Sequence, residues 1–207
     1  MIHAYNEEYL LNARNALGKM FDFAVYDLNY DLEVFYNLFI ESGIAYKFYK
    51  GDTSVISGKS GYELALQVLN IMGKDIEIIF PNYTLNHSKE YWLGYFLSYY
   101  SWYSNISYND IILYVPIKDL LLMYDKYHEM DVMHFVDKLN EIIFHSNKLK
   151  FYRKKRKLTQ KELSILSNVP LRTIQQYEQG NKDLDKANVT YLVNLSRVLN
   201  CSIEDIL

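Results

Sequence analysis

The chain has 207 residues and a mass of 24.6 kDa, and half of its residues are hydrophobic, which is enough apolar side chain to bury a core and argues against a disordered protein. A single cysteine, Cys201, excludes a domain held together by internal disulfides. The net charge of -3 conceals a division, because residues 1–145 contain 10 basic and 19 acidic residues, whereas residues 146–207 contain 12 basic and 6 acidic ones. The basic C-terminal part favours a polyanion as its partner, with nucleic acid as the first candidate.

The N-terminal segment carries acidic side chains where a secretory signal would have a basic stretch followed by an apolar run. No stretch of 18 uncharged apolar residues is present in the sequence, which argues against a membrane span. We therefore expect a cytoplasmic protein that does not bind membranes. Because the chain has only 3 prolines and 8 glycines, we expect an all-α fold.

Apolar residues three and four positions apart predict helices over most of residues 1–145. Ser60 and Glu63 form a capping-box pattern that starts one of them. Residues 75–83 are the one convincing extended piece, which Pro81 limits to a short edge strand or an irregular segment. The predicted helices span residues 8–25, 31–43, 60–72, 88–103, 109–113, 116–124 and 131–144.

The helix predicted at residues 88–103 is the most aromatic segment of the chain. One row of side chains, spaced four apart, is entirely tyrosine, and a second row beside it holds Trp92, Phe96 and Tyr100. Such a face is typical of a core or dimer-interface helix. The alternative is a ligand pocket or a face that docks a partner protein, formed by Tyr91, Trp92, Tyr95, Phe96 and Tyr99.

No group of residues has the spacing of an active site. His128, Glu129 and His134 do not match the spacing of a helical zinc site, and the triplet at 58–60 resembles a phosphate loop only in its last residues, since Thr53 stands at the glycine position. We therefore predict no catalytic residue, metal site or cofactor, and no enzymatic activity. Cys201 is interpreted as a small buried hydrophobic residue, with a thiol switch as the alternative.

The basic C-terminal part contains the pattern of two short helices joined by a tight turn. Thr159 and Glu162 form a capping box after a helix rich in lysine and arginine, and we expect Leu163 and Leu166 to face inward from the second helix. The chain then turns at residues 168–170, and a third helix spans residues 171–179. This arrangement predicts a helix-turn-helix.

Residues 146–207 resemble the Cro/C1 (Xre) family of bacterial helix-turn-helix domains, which implies a five-helix, lambda-repressor-like domain that binds DNA. Two positions depart from the family pattern: Lys157 stands where glycine is usual, and Pro170 stands where a capping serine or threonine is common. The resemblance is carried by Leu149, Arg153, Leu158-Thr159-Gln160, Glu162-Leu163, Val169, Arg172-Thr173-Ile174, Tyr177-Glu178, Gly180, Val189, Leu192, Leu195, Leu199 and the final segment from Ser202.

The resemblance, together with the geometry of such motifs, implies roles for several individual residues of this part. Ile174 and Tyr177 should face the core, and residues 154–157 should raise the local positive potential. The expected base-reading residues are Leu171, Arg172, Gln175 and Gln176, and the expected phosphate-contacting residues are Arg153, Gln160, Lys161 and Lys182.

These observations predict two domains, an acidic and aromatic helical domain at residues 1–145 and a DNA-binding domain at residues 146–207. The predicted function is a sequence-specific bacterial regulator of transcription that binds double-stranded DNA, a homodimeric repressor whose N-terminal domain dimerises or senses a signal. One alternative is an antitoxin-like protein, whose N-terminal domain neutralises a co-encoded partner while the helix-turn-helix autoregulates the operon. The other is a sensor that binds a small molecule on its aromatic face.

Overall fold

A computed structural model describes residues 3–74, 81, 87–144 and 147–207, and every regular element in these ranges is helical. The prediction of an all-α fold is confirmed. The segment expected to be extended lies outside the described residues, apart from Pro81. The helices are α1 (Leu10–Tyr26), α2 (Leu32–Glu41), α3 (Ile44–Tyr49), α4 (Thr53–Ile56), α5 (Gly61–Ile71), α6 (Lys89–Ser104), α7 (Tyr108–Tyr114), α8 (Ile117–Leu122), α9 (Tyr124–Tyr127), α10 (Val132–Phe144), α11 (Lys148–Lys155), α12 (Gln160–Ser167), α13 (Leu171–Glu178), α14 (Val189–Leu199) and α15 (Ile203–Ile206).

The chain divides into two compact units, Met1–Lys138 and Leu139–Leu207, which we call the N-terminal and C-terminal units. The division falls inside α10, a few residues before the domain boundary expected at residue 145. Each unit is built around its own buried residues, and their cores differ in composition.

Helix α1 lies at the centre of the N-terminal unit, packed against α5 and α6. Glycines permit the close approach: a Cβ atom on Gly94 of α6 would lie 2.6 Å from the carbonyl oxygen of Leu17, and one on Gly61 of α5 would lie 2.5 Å from that of Ala16. Five apolar residues of α1 that lie three or four positions apart are all buried, namely Leu10, Ala13, Leu17, Phe21 and Ala24. The period of apolar residues therefore predicted this helix and its buried face correctly.

Aromatic rings fill the space between α1, α2 and α7. Phe21 and Phe39 meet edge to face with centroids 6.0 Å apart, and Phe39 meets Tyr108 in the same way at 5.6 Å. The buried hydroxyl of Tyr36 donates a hydrogen bond to the carbonyl oxygen of Tyr108 at 2.9 Å, so its burial leaves no unpaired donor. Burial raises the pKa of both Tyr36 and Tyr108, and neither phenol ionises at neutral pH.

Short helices are the elements that the sequence pattern did not predict. Helices α3 and α4 follow Gly43 and Gly51, whose positive φ angles of 77° and 68° let the chain turn and begin a new helix. The helix expected at residues 116–124 is divided between α8 and α9. Elements of four to six residues span little more than one turn, which is too short to show a period of 3.6.

The C-terminal unit contains the end of α10, and after it the five helices α11 to α15 that the resemblance implied. Its core is mainly aliphatic, and Leu163, Ile174 and Leu195 are completely buried. Leu166 was expected to face inward, but it is 61% exposed, and Ser167 occupies the buried position instead. The reason is that the buried face of α12 follows the step of four from Leu163 to Ser167, whose small side chain donates to the carbonyl oxygen of Leu163 at 2.6 Å.

Candidate nucleic-acid interface

Helices α12 and α13 and the turn between them are fixed by local hydrogen bonds. Thr159 and Glu162 form the predicted capping box, with the Thr159 hydroxyl accepting from the Glu162 amide at 3.2 Å and the Glu162 carboxylate accepting from the Thr159 amide at 2.7 Å. Asn168 ends α12 in the left-handed conformation, with φ of 53°. Pro170, which has no side-chain oxygen, starts α13 through its carbonyl oxygen, which accepts from the Thr173 amide at 2.8 Å.

Helix α13 has one buried and one solvent-facing side. Ile174 and Tyr177 contact the core with 0% and 6% of their surface exposed, as predicted. The residues expected to contact bases lie on the other side: Leu171 and Arg172 are exposed, and Gln175 and Gln176 are half-buried. A helix of this kind presents a short polar surface of the size that enters a DNA major groove.

Three helices of the C-terminal unit meet at the buried carboxylate of Glu178, whose side chain is 2% exposed. Arg153 of α11 donates to both of its oxygens, with Nε at 2.6 Å from Oε1 and a second nitrogen at 2.8 Å from Oε2. The side-chain amide of Gln160, the first residue of α12, donates to Oε2 at 2.8 Å. This bidentate pair with its additional donor fixes α11 and α12 against the C-terminal end of α13.

A comparison with protein-family models assigns this arrangement to a known class. Residues 149–206 match the family model described as helix-turn-helix. They form a Cro/C1-type helix-turn-helix domain. Domains of this class belong to DNA-binding regulators of transcription, whereas the region N-terminal to the match carries no family assignment. No curated protein and no solved structure is significantly similar to the chain.

Arg153 has an interior role in the helix-turn-helix domain. Its side chain is 11% exposed, and its guanidinium also donates to the carbonyl oxygen of Leu158 at 2.7 Å. The hydrogen bond to Glu178 raises the pKa of Arg153. The guanidinium is therefore engaged in three hydrogen bonds that hold the helices together, and its expected contact with a DNA phosphate stays a prediction.

The remaining expected phosphate contacts lie on the surface of the domain. Lys161, in the first turn of α12, and Lys182, which follows the end of α13, are exposed. Gln160 is half-buried, with its amide held by Glu178. Residues 154–157 are all exposed and all basic, and they form the C-terminal end of α11 and the turn directly after it. This end of the domain is therefore strongly positive.

The aromatic residues of α6 form two rows with different environments. Trp92 and Phe96 are 7% and 8% exposed, and the ring of Phe135 packs against both, with centroids 5.4 and 5.6 Å apart. Tyr95 and Tyr99 are half-buried, and the Arg14 guanidinium carbon lies 3.7 Å from the centroid of the Tyr95 ring. The row of Trp92 and Phe96 therefore belongs to the core of the N-terminal unit, which is the first of the two interpretations given to this helix.

Tyr91, the remaining residue of the expected ligand or partner face, is also buried. It is 8% exposed, its hydroxyl donates to Asn15 at 2.9 Å, and its ring stacks on His87 with centroids 3.8 Å apart. Only two of the five proposed face residues, Tyr95 and Tyr99, retain substantial contact with solvent. The Arg14 guanidinium carbon lies near both rings, 3.7 Å from the centroid of Tyr95 and 5.0 Å from that of Tyr99.

His128 and Cys201, which the sequence analysis did not assign to an active site, have local contacts in the structure. His128 accepts or donates at Nδ1 to the carbonyl oxygen of Tyr124 at 2.9 Å, and its Nε2 lies 3.6 Å from the carboxylate of Glu129. Within the described residues, no group of three or more His, Cys, Asp or Glu side chains is arranged to hold a metal ion. Cys201 packs against the core of the C-terminal unit, and burial raises the pKa of its thiol.

The loop at residues 57–60 borders an open pocket of about 420 Å³, which Lys19 of α1 also lines. The hydroxyl and amide of Ser60 donate to the Glu63 carboxylate at 2.7 and 2.8 Å, and the Lys59 ammonium donates to Gln67 at 2.7 Å. The N-terminus of α5 is thus capped by the Glu63 side chain of its own first turn.

None of the helices in the described ranges is long and apolar enough to cross a membrane.

Proposed function

We propose that the chain is a dimeric, sequence-specific repressor of transcription that reads the DNA major groove with α13. The observation that carries this proposal is the two-sided α13, which buries Ile174 and Tyr177 and leaves the Arg172 side chain exposed and those of Gln175 and Gln176 half-buried. Arginine pairs with guanine and glutamine with adenine, and each good bidentate pair supplies about 1–3 kcal/mol of discrimination.

In this proposal, Leu171 contacts a thymine methyl group, Arg172 binds guanine, and Gln175 and Gln176 bind adenine. Lys161, Lys182 and the start of α12 at Gln160 contact phosphates and set the register of the domain on the duplex. Arg153 acts indirectly, because its pair with Glu178 keeps the end of α13 in place.

A dimer is proposed because a single domain of this size covers a short DNA site. Two copies placed on half-sites about one helical turn apart, roughly 34 Å, give the affinity and specificity that one copy lacks. The N-terminal unit is the proposed source of dimerisation or of signal sensing. The operator that corresponds to such a dimer is palindromic.

A second candidate function is that of an antitoxin-like protein, and it is favoured by the excess of nine acidic residues in residues 1–145. In that case, the N-terminal unit neutralises a basic protein encoded in the same operon, and the helix-turn-helix domain represses that operon. Size-exclusion chromatography of the full chain with the product of the adjacent gene separates the two candidates, because the antitoxin-like function requires a stable complex.

The test of the first candidate is a selection of bound duplexes from a random DNA library, carried out with the full chain and with the triple variant Arg172→Ala/Gln175→Ala/Gln176→Ala. We expect a palindromic consensus for the natural chain and no consensus for the variant. The matched control is Gln179→Ala, since Gln179 is exposed at the end of α13 but outside the proposed reading residues. Selection of the same consensus by the triple variant would contradict the assignment of α13 as the reading helix.

A further inference from the structure

Lys157 occupies a backbone conformation that lysine seldom adopts. Its φ is 55°, in the left-handed region, and among the described residues every other positive φ belongs to asparagine or glycine. The Lys157 amide donates to the Lys154 carbonyl oxygen at 2.8 Å, and the Leu158 amide donates to the Arg153 carbonyl oxygen at 3.1 Å. These two bonds form the pair that ends a helix when the residue after it is left-handed. The turn between α11 and α12 therefore depends on this conformation of Lys157.

The position favours glycine for a physical reason. A side chain with a Cβ atom crowds the following carbonyl oxygen in the left-handed region, and glycine avoids this contact. The helices α6, α12 and α14 end in Asn105, Asn168 and Asn200, which tolerate the conformation better than lysine does. We therefore expect a lysine at residue 157 to make the domain less stable than a glycine there would.

The surroundings of Lys157 favour an anion as the partner of its ammonium group. Residues 154–157 are exposed, and no carboxylate among the described side chains pairs with Lys157. Thr159, two residues further on, caps the start of α12, which carries the proposed phosphate contacts Gln160 and Lys161. Lys157 is three and four residues away from those contacts along the chain.

We propose that Lys157 binds a DNA phosphate beside the start of α12, and that this contact compensates for the strained backbone at the turn. The inference rests on the proposed DNA-binding function and adds a phosphate contact at a position where the Cro/C1 pattern has glycine. The competing explanation is structural: a cation at the end of α11 interacts favourably with the carbonyl groups there and needs no ligand.

Three substitutions separate these explanations. Lys157→Gly and Lys157→Asn remove the charge and relieve the backbone, whereas Lys157→Arg retains both the charge and the strain. Lys150→Gln is the control, because Lys150 is an exposed cation at the other end of α11, about 10 Å away along the helix. For each full-length variant, the thermal midpoint of unfolding and the affinity for DNA are measured. The DNA is the selected consensus duplex and, separately, a pool of random 30-base-pair duplexes, both at several NaCl concentrations.

We expect Lys157→Gly to raise the thermal midpoint by about 4 °C and to weaken DNA binding about fivefold at 0.15 M salt. The slope of log affinity against log salt should become shallower by about 0.9, the value for one lost phosphate contact. Lys157→Asn should change the thermal midpoint, the DNA affinity and the salt slope in the same directions. Lys157→Arg and Lys150→Gln should match the natural chain in both affinity and slope.

An unchanged affinity and salt slope for Lys157→Gly and Lys157→Asn would overturn the inference while leaving the proposed function intact. A loss of thermal stability in these two variants would support the structural explanation and would also overturn the inferred phosphate contact. If the natural chain binds neither the consensus duplex nor the random pool, the proposed function itself fails, and the two failures are thereby distinguished.

Discussion

Helices α6 and α13 show how differently two helices of one chain use their side chains. Half of the residues of α6 are aromatic, and most of its surface is buried against the rest of the N-terminal unit. Helix α13 has one aromatic residue, Tyr177, and buries a single narrow stripe. The more conspicuous sequence pattern therefore belongs to the core, and the modest one supplies the exposed polar groups. Residue size indicates burial, whereas function follows from what remains exposed after burial.

The largest expected effect tests the core assignment of α6. Trp92→Ala should lower the free energy of unfolding of the N-terminal unit by about 4 kcal/mol, because its ring packs against Phe96, Tyr124 and Phe135. Urea denaturation followed by the fluorescence of the remaining tryptophan, Trp102, measures this loss. The control, Tyr46→Ala, removes a side chain that is 63% exposed and should cost less than about 0.5 kcal/mol. Equal effects of the two substitutions would contradict the core assignment.

The next effect concerns the buried ion pair that supports α13. Arg153→Met and Glu178→Leu should each destabilise the C-terminal unit by about 3 kcal/mol, because each leaves its partner charged and buried without compensation. The double variant should cost less than the sum by more than about 1 kcal/mol. Urea denaturation followed by circular dichroism completes this double-mutant cycle. Additive losses would show that the two side chains do not depend on each other.

A third prediction concerns the close contact of α1 and α6. Gly94→Ala should lower the stability of the N-terminal unit by about 2 kcal/mol, because the new methyl group would meet the Leu17 carbonyl and push the helices apart. Gly43→Ala is the matched control, since a Cβ atom there has open space and only the positive φ opposes it. Tryptophan fluorescence in urea measures both. If Gly43→Ala is the more damaging of the two, backbone conformation matters more here than helix spacing.

The smallest expected effect concerns the capping boxes that start α5 and α12, one in each unit. Ser60→Ala and Thr159→Ala each remove the hydroxyl of a capping box and should cost about 1 kcal/mol at neutral pH. The hydrogen bonds of the two boxes hold the pKa of Glu63 and Glu162 below the ordinary value of 4.5. The contribution of each carboxylate is therefore complete above pH 4.5 and is lost as the pH falls through its lower folded pKa.

Thermal unfolding between pH 3 and pH 7 checks this prediction. The difference between the natural chain and each variant should shrink at the acidic end, and Glu63→Gln and Glu162→Gln should flatten the pH dependence of their own units. A difference that stays constant over the whole range would mean that the carboxylates take no part in the caps.

The sequence predicted the elements whose signals are local and repeated. The helix α1, the capping boxes at Ser60 and Thr159, and the turn at residues 168–170 all follow from residue type and spacing, and the structure confirms them. Leu166 shows the limit of this approach. A helix of eight residues has too few turns to fix its buried face from sequence, and Ser167, four residues after Leu163, takes the interior position.

The sequence predicted only the part of the candidate site whose residues lie close together in the chain. The two-sided pattern of α13 is visible in the sequence, because Ile174 and Tyr177 are three residues apart. The interior role of Arg153 is not visible, because its partner Glu178 lies 25 residues further along the chain and is brought close only by the turns at Lys157 and Asn168. A buried pair between distant charges therefore has no local sequence signal.

We propose that the chain binds DNA through α13 while α6 remains inside its own unit. Hydrogen–deuterium exchange of the full chain, with and without the selected duplex, tests it most directly. We expect DNA to slow exchange in the peptides covering α13 and the start of α12 and to leave the exchange of α6 unchanged. Protection concentrated in α6, with none in α13, would contradict it.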